Sequence, residues 1–492
     1  MALYSDSELY NKIKGCWLGK SIGGTLGMPY EGKDGPFNLS YYDPCPNGVM
    51  PNDDLDLQIL WACVLNEMKN PEVNREVFAK AWVANVKFPF DEYAIAVKNL
   101  TLGLKPPLTG QYDNWFTCGM GALIRSEIWA CLAPGNPNVA AKYAYEDACV
   151  DHAGDGIWAE VFMAVLESMA FQNKDINTFI SLALEYIPSN SLLKEAISDT
   201  CKWWHEEQAW LRVRTKILSK YENENWSDVT MNVAFIILAL LDGKGNFGRS
   251  ICTAVNCGKD TDCTAATVGS LMGLMDPACI DSRWLEPIGE NILLSPEIIG
   301  ISPPTTIDEF TCMVLDLHKR LNYKVVEVPH VEQSLNQYAI KAGIAFRPIA
   351  ANFWVDTVPK WPYYRSISLP GTLVNMPASK FEDDLMFLKY DIKIRRNGLY
   401  RVMFNTKANC RIWIDSKYAF GRECGRMAPS PHRSVLNQYT DIFFSEGVHE
   451  IVVIVHRPKH ENNIEWQIGV ADQSTKIWVP EVFYYEDISS NQ

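Results

Sequence analysis

Several features that would point this 492-residue chain toward common classes are missing from it. There is no basic surplus: 45 Lys and Arg stand against 59 Asp and Glu, a formal net charge of −14. Non-specific nucleic-acid binding is therefore not expected, because there is no cationic excess to displace counterions. An anionic ligand would need locally placed Arg, Lys, N–H groups or metal. No apolar run reaches the roughly 20 residues that cross a bilayer, so no membrane partner is expected. The 14 cysteines include no C-x-x-C pair and are spread through apolar segments, which argues for reduced core thiols and against a disulfide framework. The opening MALYSDSELYNKIKG lacks a charged-then-apolar leader pattern, and the expectation is a soluble, cytoplasmic protein, although a leader removed beforehand would leave no trace. Internal repeats and low-complexity tracts are absent. At this length two or three domains and a large core fit.

What is present begins with NCGKDTDCTAATVGSLMGLM, Asn256 to Met275. Asp260 and Asp262 precede a segment whose four-step positions are Ala265, Gly269 and Gly273, a flat stripe that lets another backbone approach. Each helical glycine costs roughly 1 kcal/mol relative to alanine, so close packing must offset it. A buried helix with acids at its entry is expected. Capping explains one such acid; two on a helix without a polar face call for pairing, hydrogen bonds or metal. A second cluster, Asn52-Asp53-Asp54, precedes another apolar run, with Asn52 suited to the N-cap. Together the clusters offer four carboxylates, enough for two divalent cations, and oxygen ligands select Mg²⁺, with Mn²⁺ an alternative, over zinc. A third element, GCWLGKSIGGTLGMPYEG, carries Gly15, Gly19, Gly23 and Gly27, a stripe suited to pack on the first. Pro29 ends it, and Glu31 follows.

Residues 1–325 read as mainly helical, with helices over 55–68, 156–171, 178–187, 230–241 and 306–321. Residues 326–349 read as a connection. From Ala350 to 492, alternation in FLKYDIKI, GLYRVMFNT, CRIWID, HEIVVIVH, IEWQIGV and EVFYY predicts an antiparallel β-sandwich. Tyr112, Trp115 and Phe116 are candidates for lining a pocket before the glycine-rich turn at Gly119.

In combination these segments resemble the ADP-ribosylglycohydrolase family, which includes ADP-ribosyl-arginine, ADP-ribosyl-serine and dinitrogenase-reductase-activating hydrolases. Its G-x-x-x-G-D-A-x-G-x-P-x-E pattern is matched from Gly19 to Glu31, and its T-D-D-T by Asn52-Asp53-Asp54-Leu55. Its G-N-G-x-x-M-R is matched by Gly119-Met120-Gly121 through Arg125, and its histidine before an alanine-rich helix by His152. Its G-G-D-T-D-T-x-A-A-x-x-G is matched from Gly258 to Gly269. The order is kept over roughly the first 320 residues. The match has departures: Gly24 replaces an aspartate, Asn52 and Cys263 replace threonines, and Met120 replaces an asparagine. The C-terminal region is similar, by pattern alone, to jelly-roll modules appended to bacterial glycoside hydrolases.

The resemblance implies an all-helical catalytic domain with a binuclear Mg²⁺ centre that orients water against a glycosidic bond. It assigns Asp53, Asp54, Asp260 and Asp262 as ligands, Asn52 as an optional fifth, and Asp262 or Glu31 as the base. Gly119, Met120, Gly121, Arg125 and His152 would contact a small-molecule sugar or ADP-ribosyl substrate, although His152 and Arg125 also read as buried structural groups. Other readings are a non-nucleotide glycosidase, a non-catalytic crystallin-like relative, and, from DTDCT, a haloacid-dehalogenase-like phosphatase. The phosphatase nucleophile loop directly follows a buried strand, which is not the pattern here. Oligomeric state is not legible.

Overall fold

The computed structural model describes residues 4–172, 175–349, 364–458 and 461–485. The chain divides into two compact units, one of residues 1–86, 106–110 and 116–329, the other of 87–105, 111–115 and 330–492.

The first unit is helical. Its opening helix, Asp6–Gly27, starts at a capping box: Ser5 Oγ accepts from the Glu8 N–H at 3.3 Å, and the Glu8 carboxylate accepts from the Ser5 N–H at 2.8 Å. The helix gives way to a 3₁₀ turn at Met28–Tyr30, where Pro29 cannot continue the ladder. Its glycine stripe lies against helix Thr261–Met275, which runs antiparallel to it. A Cβ at Gly19 would overlap the carbonyl oxygen of Gly269, and one at Gly23 that of Ala265. The two stripes therefore pack on each other, and this contact brings Gly27 beside Thr261 and Asp262. Helices Asp53–Glu67, Val229–Gly243, Phe247–Asn256 and Ile307–Leu321 pack on the pair. Val229–Gly243 is buried along its whole length, as its near-continuous apolar sequence requires.

The second unit holds two antiparallel sheets. One has six strands in the order β2-β1-β4-β9-β6-β7, with β1 Ile340–Arg347, β2 Arg365–Leu369, β4 Leu385–Ile394, β6 Cys410–Ile414, β7 Lys417–Arg422 and β9 Gly447–His456. The other has four in the order β3-β10-β5-β8, with β3 Leu373–Pro377, β5 Gly398–Thr406, β8 Tyr439–Phe444 and β10 Asn463–Asp472. Inward residues of both sheets, among them Leu388, Ile412 and Val453 from the first and Phe404, Trp466 and Ile468 from the second, form one core, as a β-sandwich requires. Strand β1 lies inside 326–349, the stretch read as a connection, because Ala342, Gly343 and Ala345 dilute its apolar alternation. The expected start at Ala350 lies outside the described residues. EVFYY forms no ladder strand: Pro480–Val482 is a 3₁₀ turn, and Phe483 and Tyr485 make single bridges to Ile392 and Ile340.

Helix Asp91–Thr101 and the turn at Gln111–Trp115 belong to this second unit. Ala94 and Ile95 pack on Met403 and Trp478. The buried Asp113 carboxylate accepts from Thr372 N–H at 2.9 Å, Thr372 Oγ1 at 2.7 Å, Leu373 N–H at 3.1 Å and Lys98 Nζ at 3.1 Å. No helix among the described residues is long and apolar enough to cross a membrane. None of the 14 cysteines is paired.

Candidate metal centre

Asp54 sits in the first turn of its helix, behind the N-cap Asn52, whose Oδ1 accepts from the Asp54 N–H at 2.8 Å. That bond relieves Asp54 of any capping duty. Its carboxylate is fully buried, and neither oxygen has a hydrogen bond among the described residues. Asp260 occupies the N-cap position of helix Thr261–Met275 and its side chain makes no capping bond. Its own backbone N–H donates to Asn232 Oδ1 at 3.3 Å. Asp262, in the first turn, is buried, with Oδ1 lacking a hydrogen bond among the described residues. The capping account of these acids therefore fails at three of them, Asp54, Asp260 and Asp262, and holds only for the neighbouring Asn52.

One ligand atom each from Asp54, Asp262 and Cys263 lies within 4.8 Å of the others. Burial, then Glu31, Asp260, Asp54 and Asp53, push the Asp262 carboxyl well above the ordinary range. Burial raises Asp54 too, opposed by Lys20 and reinforced by Asp53 and Asp260. A buried carboxylate group under this mutual repulsion is what a cation relieves. The donor set fits a divalent ion: hard oxygens dominate, and the one thiol, Cys263, is itself pushed up by burial and by the four aspartates. Glu31 is exposed, just past the Met28–Tyr30 turn, and Asp53 is half-buried. The structure thus gathers both acid clusters and Glu31 into one field.

The turn at Gly119, Met120 and Gly121 is buried and held from behind. Arg125 donates to the Gly121 carbonyl at 2.7 Å, to Asp147 at 2.8 Å and, through both terminal nitrogens, to Asp151 at 2.6 and 3.0 Å. His152 Nε2 accepts from the Ala122 N–H at 3.3 Å, and its Nδ1 lies 3.1 Å from Asp151 Oδ1. Both side chains are fully buried. They shape the turn; their own polar atoms face other protein groups. Tyr112 and Trp115 fall in the second unit, where Tyr112 donates to the Tyr338 carbonyl at 2.6 Å.

Two groups escape sequence reasoning. Lys20, fully buried, lies 2.8 Å from Glu127 and 3.6 Å from Asp54; its only signal was a lysine set among the glycines of the stretch 15–27. Asn232, which receives the Asp260 N–H, was a lone amide in an otherwise apolar helix.

Comparison with known proteins fits this arrangement. Residues 5–320 match the model of the ADP-ribosylglycohydrolase family. An uncharacterized protein of Archaeoglobus fulgidus is 24% identical over 325 residues, covering 63% of this chain and 98% of that protein. A solved ADP-ribosylglycohydrolase-related protein complex shares 18% identity over 64% of this chain and 99% of its own, with a TM-score of 0.45. A solved PA14 domain of an antifreeze protein, MpAFP, shares 8% identity over 33% of this chain and 94% of its own, with a TM-score of 0.20. With a family match spanning well over half its length, this chain belongs to the ADP-ribosylglycohydrolase family.

Proposed function

We propose that this chain is a metal-dependent glycoside hydrolase that cleaves an N- or O-glycosidic bond of an ADP-ribosyl or related sugar with water. One observation carries the reading: Asp54 and Asp262 are buried with carboxylate oxygens that accept no hydrogen bond from a described residue, inside a field of further acids. Asp53, Asp54, Asp260 and Asp262 would hold Mg²⁺ or Mn²⁺, and their charge suffices for two such ions. Asn52 is a weaker donor, because its Oδ1 already caps the Asp53–Glu67 helix. A bound ion supplies neutralising charge and makes a water proton easier to remove.

The protein's own groups do the rest. Asp262 accepts the proton of the attacking water, with Glu31 as the alternative base. The oxygen of that water bonds to the anomeric carbon as the bond to the leaving group breaks, through an oxocarbenium-like transition state; the leaving group takes the bonding pair and ends with the proton that the base removed from water. Arg125 and His152 fix the Gly119 turn, and so act on substrate by positioning backbone.

A second reading, hydrolysis of a non-nucleotide glycoside, is favoured by one fact. Arg125 and His152, the candidates for contacting substrate near the Gly119 turn, already face Asp147, Asp151 and backbone groups. A non-catalytic role is disfavoured by the retained aspartates. The test is turnover of ADP-ribosyl-arginine, ADP-ribosyl-serine, O-acetyl-ADP-ribose and aryl glycosides, in Mg²⁺ and in chelator. Hydrolysis should require metal and should disappear in Asp54→Asn and Asp260→Asn proteins that still fold. Turnover of aryl glycosides alone selects the second reading, and equal rates in chelator would sink the metal mechanism.

A further inference from the structure

Counting aspartates leaves out a cation that the fold builds in. Lys20 Nζ is fully buried between Glu127 Oε1 at 2.8 Å and Asp54 Oδ1 at 3.6 Å. Glu127 is fixed in turn by Gln58 Nε2 at 2.9 Å and Ser270 Oγ at 2.7 Å, so the ammonium cannot withdraw toward solvent. Asp54 Oδ1 therefore faces a permanent positive charge. One Asp54 oxygen is thus turned to Lys20, and Oδ2 is the oxygen left to meet a metal ion. Asn52, on the same helix start, has its Oδ1 engaged by the Asp54 N–H and its amide nitrogen where a Cβ of Gly24 would lie. By contrast, Asp54, Asp262 and Cys263 present ligand atoms within 4.8 Å of one another, and Asp262 Oδ1 has no hydrogen bond among the described residues.

We propose that Lys20 takes the place of one cation, so that the cluster binds a single divalent ion on the Asp54–Asp262–Cys263 side. This rests on the metal-dependent reading above. A dication sharing Asp54 Oδ1 would come within about 4–5 Å of the ammonium, where like charges repel by several kcal/mol even at a moderate effective dielectric.

The test is titration of Mn²⁺ into the metal-free full-length protein, followed by calorimetry and low-temperature electron paramagnetic resonance. One Mn²⁺ per chain with an uncoupled six-line spectrum is expected. Lys20→Met should then admit a second Mn²⁺ and give the broadened spectrum of a coupled pair. Lys20→Arg, which keeps the charge, should stay at one. If Lys20→Met does not fold, Lys20→Gln, which keeps a donor for Glu127, replaces it. Two coupled ions in the native protein overturn this inference and leave the metal reading standing. One ion in both the native and neutral variants overturns the role of Lys20. Absence of binding at millimolar Mn²⁺ overturns the metal reading, and this inference with it.

Discussion

At Gly24 a Cβ would overlap the amide nitrogen of Asn52 and come within 3.1 Å of its Cγ. Two departures from the family pattern, at 24 and 52, are thus sterically coupled: the amide of one occupies the space a side chain at the other would use. Both were visible in the sequence as substitutions, but only coordinates show that they are neighbours. Asp228 makes a residue-level prediction about pH. It caps helix Val229–Gly243, accepting from the Thr230 N–H at 2.9 Å, and burial, with Asp155 adding, lifts its carboxyl to about 6. An acid raised in the folded state contributes most below its unfolded value near 4, and that contribution is lost as pH rises through about 6. Asp228→Asn keeps an oxygen for the cap and removes the titration. Stability of the native protein relative to the variant is expected to fall by up to about 3 kcal/mol between pH 4 and pH 7. Urea unfolding at several pH values measures it, and parallel curves would show that Asp228 does not titrate there.

Among elements, the pairing of helices Asp6–Gly27 and Thr261–Met275 was the most legible feature, because glycine at four-step spacing has few other uses in a helix. The acid clusters were legible for a related reason: each stands at the entry of a helix with no polar face to receive it. The partners of Arg125 and His152 were not, since Asp147 and Asp151 are ordinary acids in the sequence, and only folding turns all four inward. Strands β1, β2, β3, β7 and β8 were also missed. They are five to eight residues long and several carry small or polar residues, so alternation has too few positions to register. The helix pairing can be tested at its centre. Gly19→Ala should gain about 1 kcal/mol of helix propensity, yet its methyl would overlap the Gly269 carbonyl. A net loss of about 1–3 kcal/mol is expected, measured by chemical denaturation, together with weaker Mn²⁺ binding as the helix entry moves. A variant at or above native stability would mean that the backbones are not in contact.

At the scale of the whole molecule, the order of segments matters more than the helix-to-strand switch near Leu321. The chain leaves the helical unit at 86, returns at 106, leaves again for 111–115, and passes finally to the second unit at 330. The second unit is therefore assembled from pieces some 200 residues apart, and a cut anywhere between 116 and 329 separates them. A fragment of residues 330–492 lacks Asp113, and with it the acceptor for Thr372 and Leu373. It also lacks Ala94 and Ile95, leaving Met403 and Trp478 exposed where they had packed. Leaving a buried donor without its acceptor costs about 1–3 kcal/mol, and exposing such apolar faces adds to it, against a net stability for a domain of only about 5–15 kcal/mol. The 330–492 fragment is not expected to unfold cooperatively when expressed alone. A 330–492 protein in which 87–105 and 111–115 are supplied through a linker should recover a cooperative transition. In the intact chain, Asp113→Ala should lower stability by about 3–5 kcal/mol while leaving the Mn²⁺ stoichiometry unchanged. A soluble 330–492 fragment with a sharp thermal transition and native-like near-ultraviolet circular dichroism would show that the two early segments are attached to the sandwich and do not complete it.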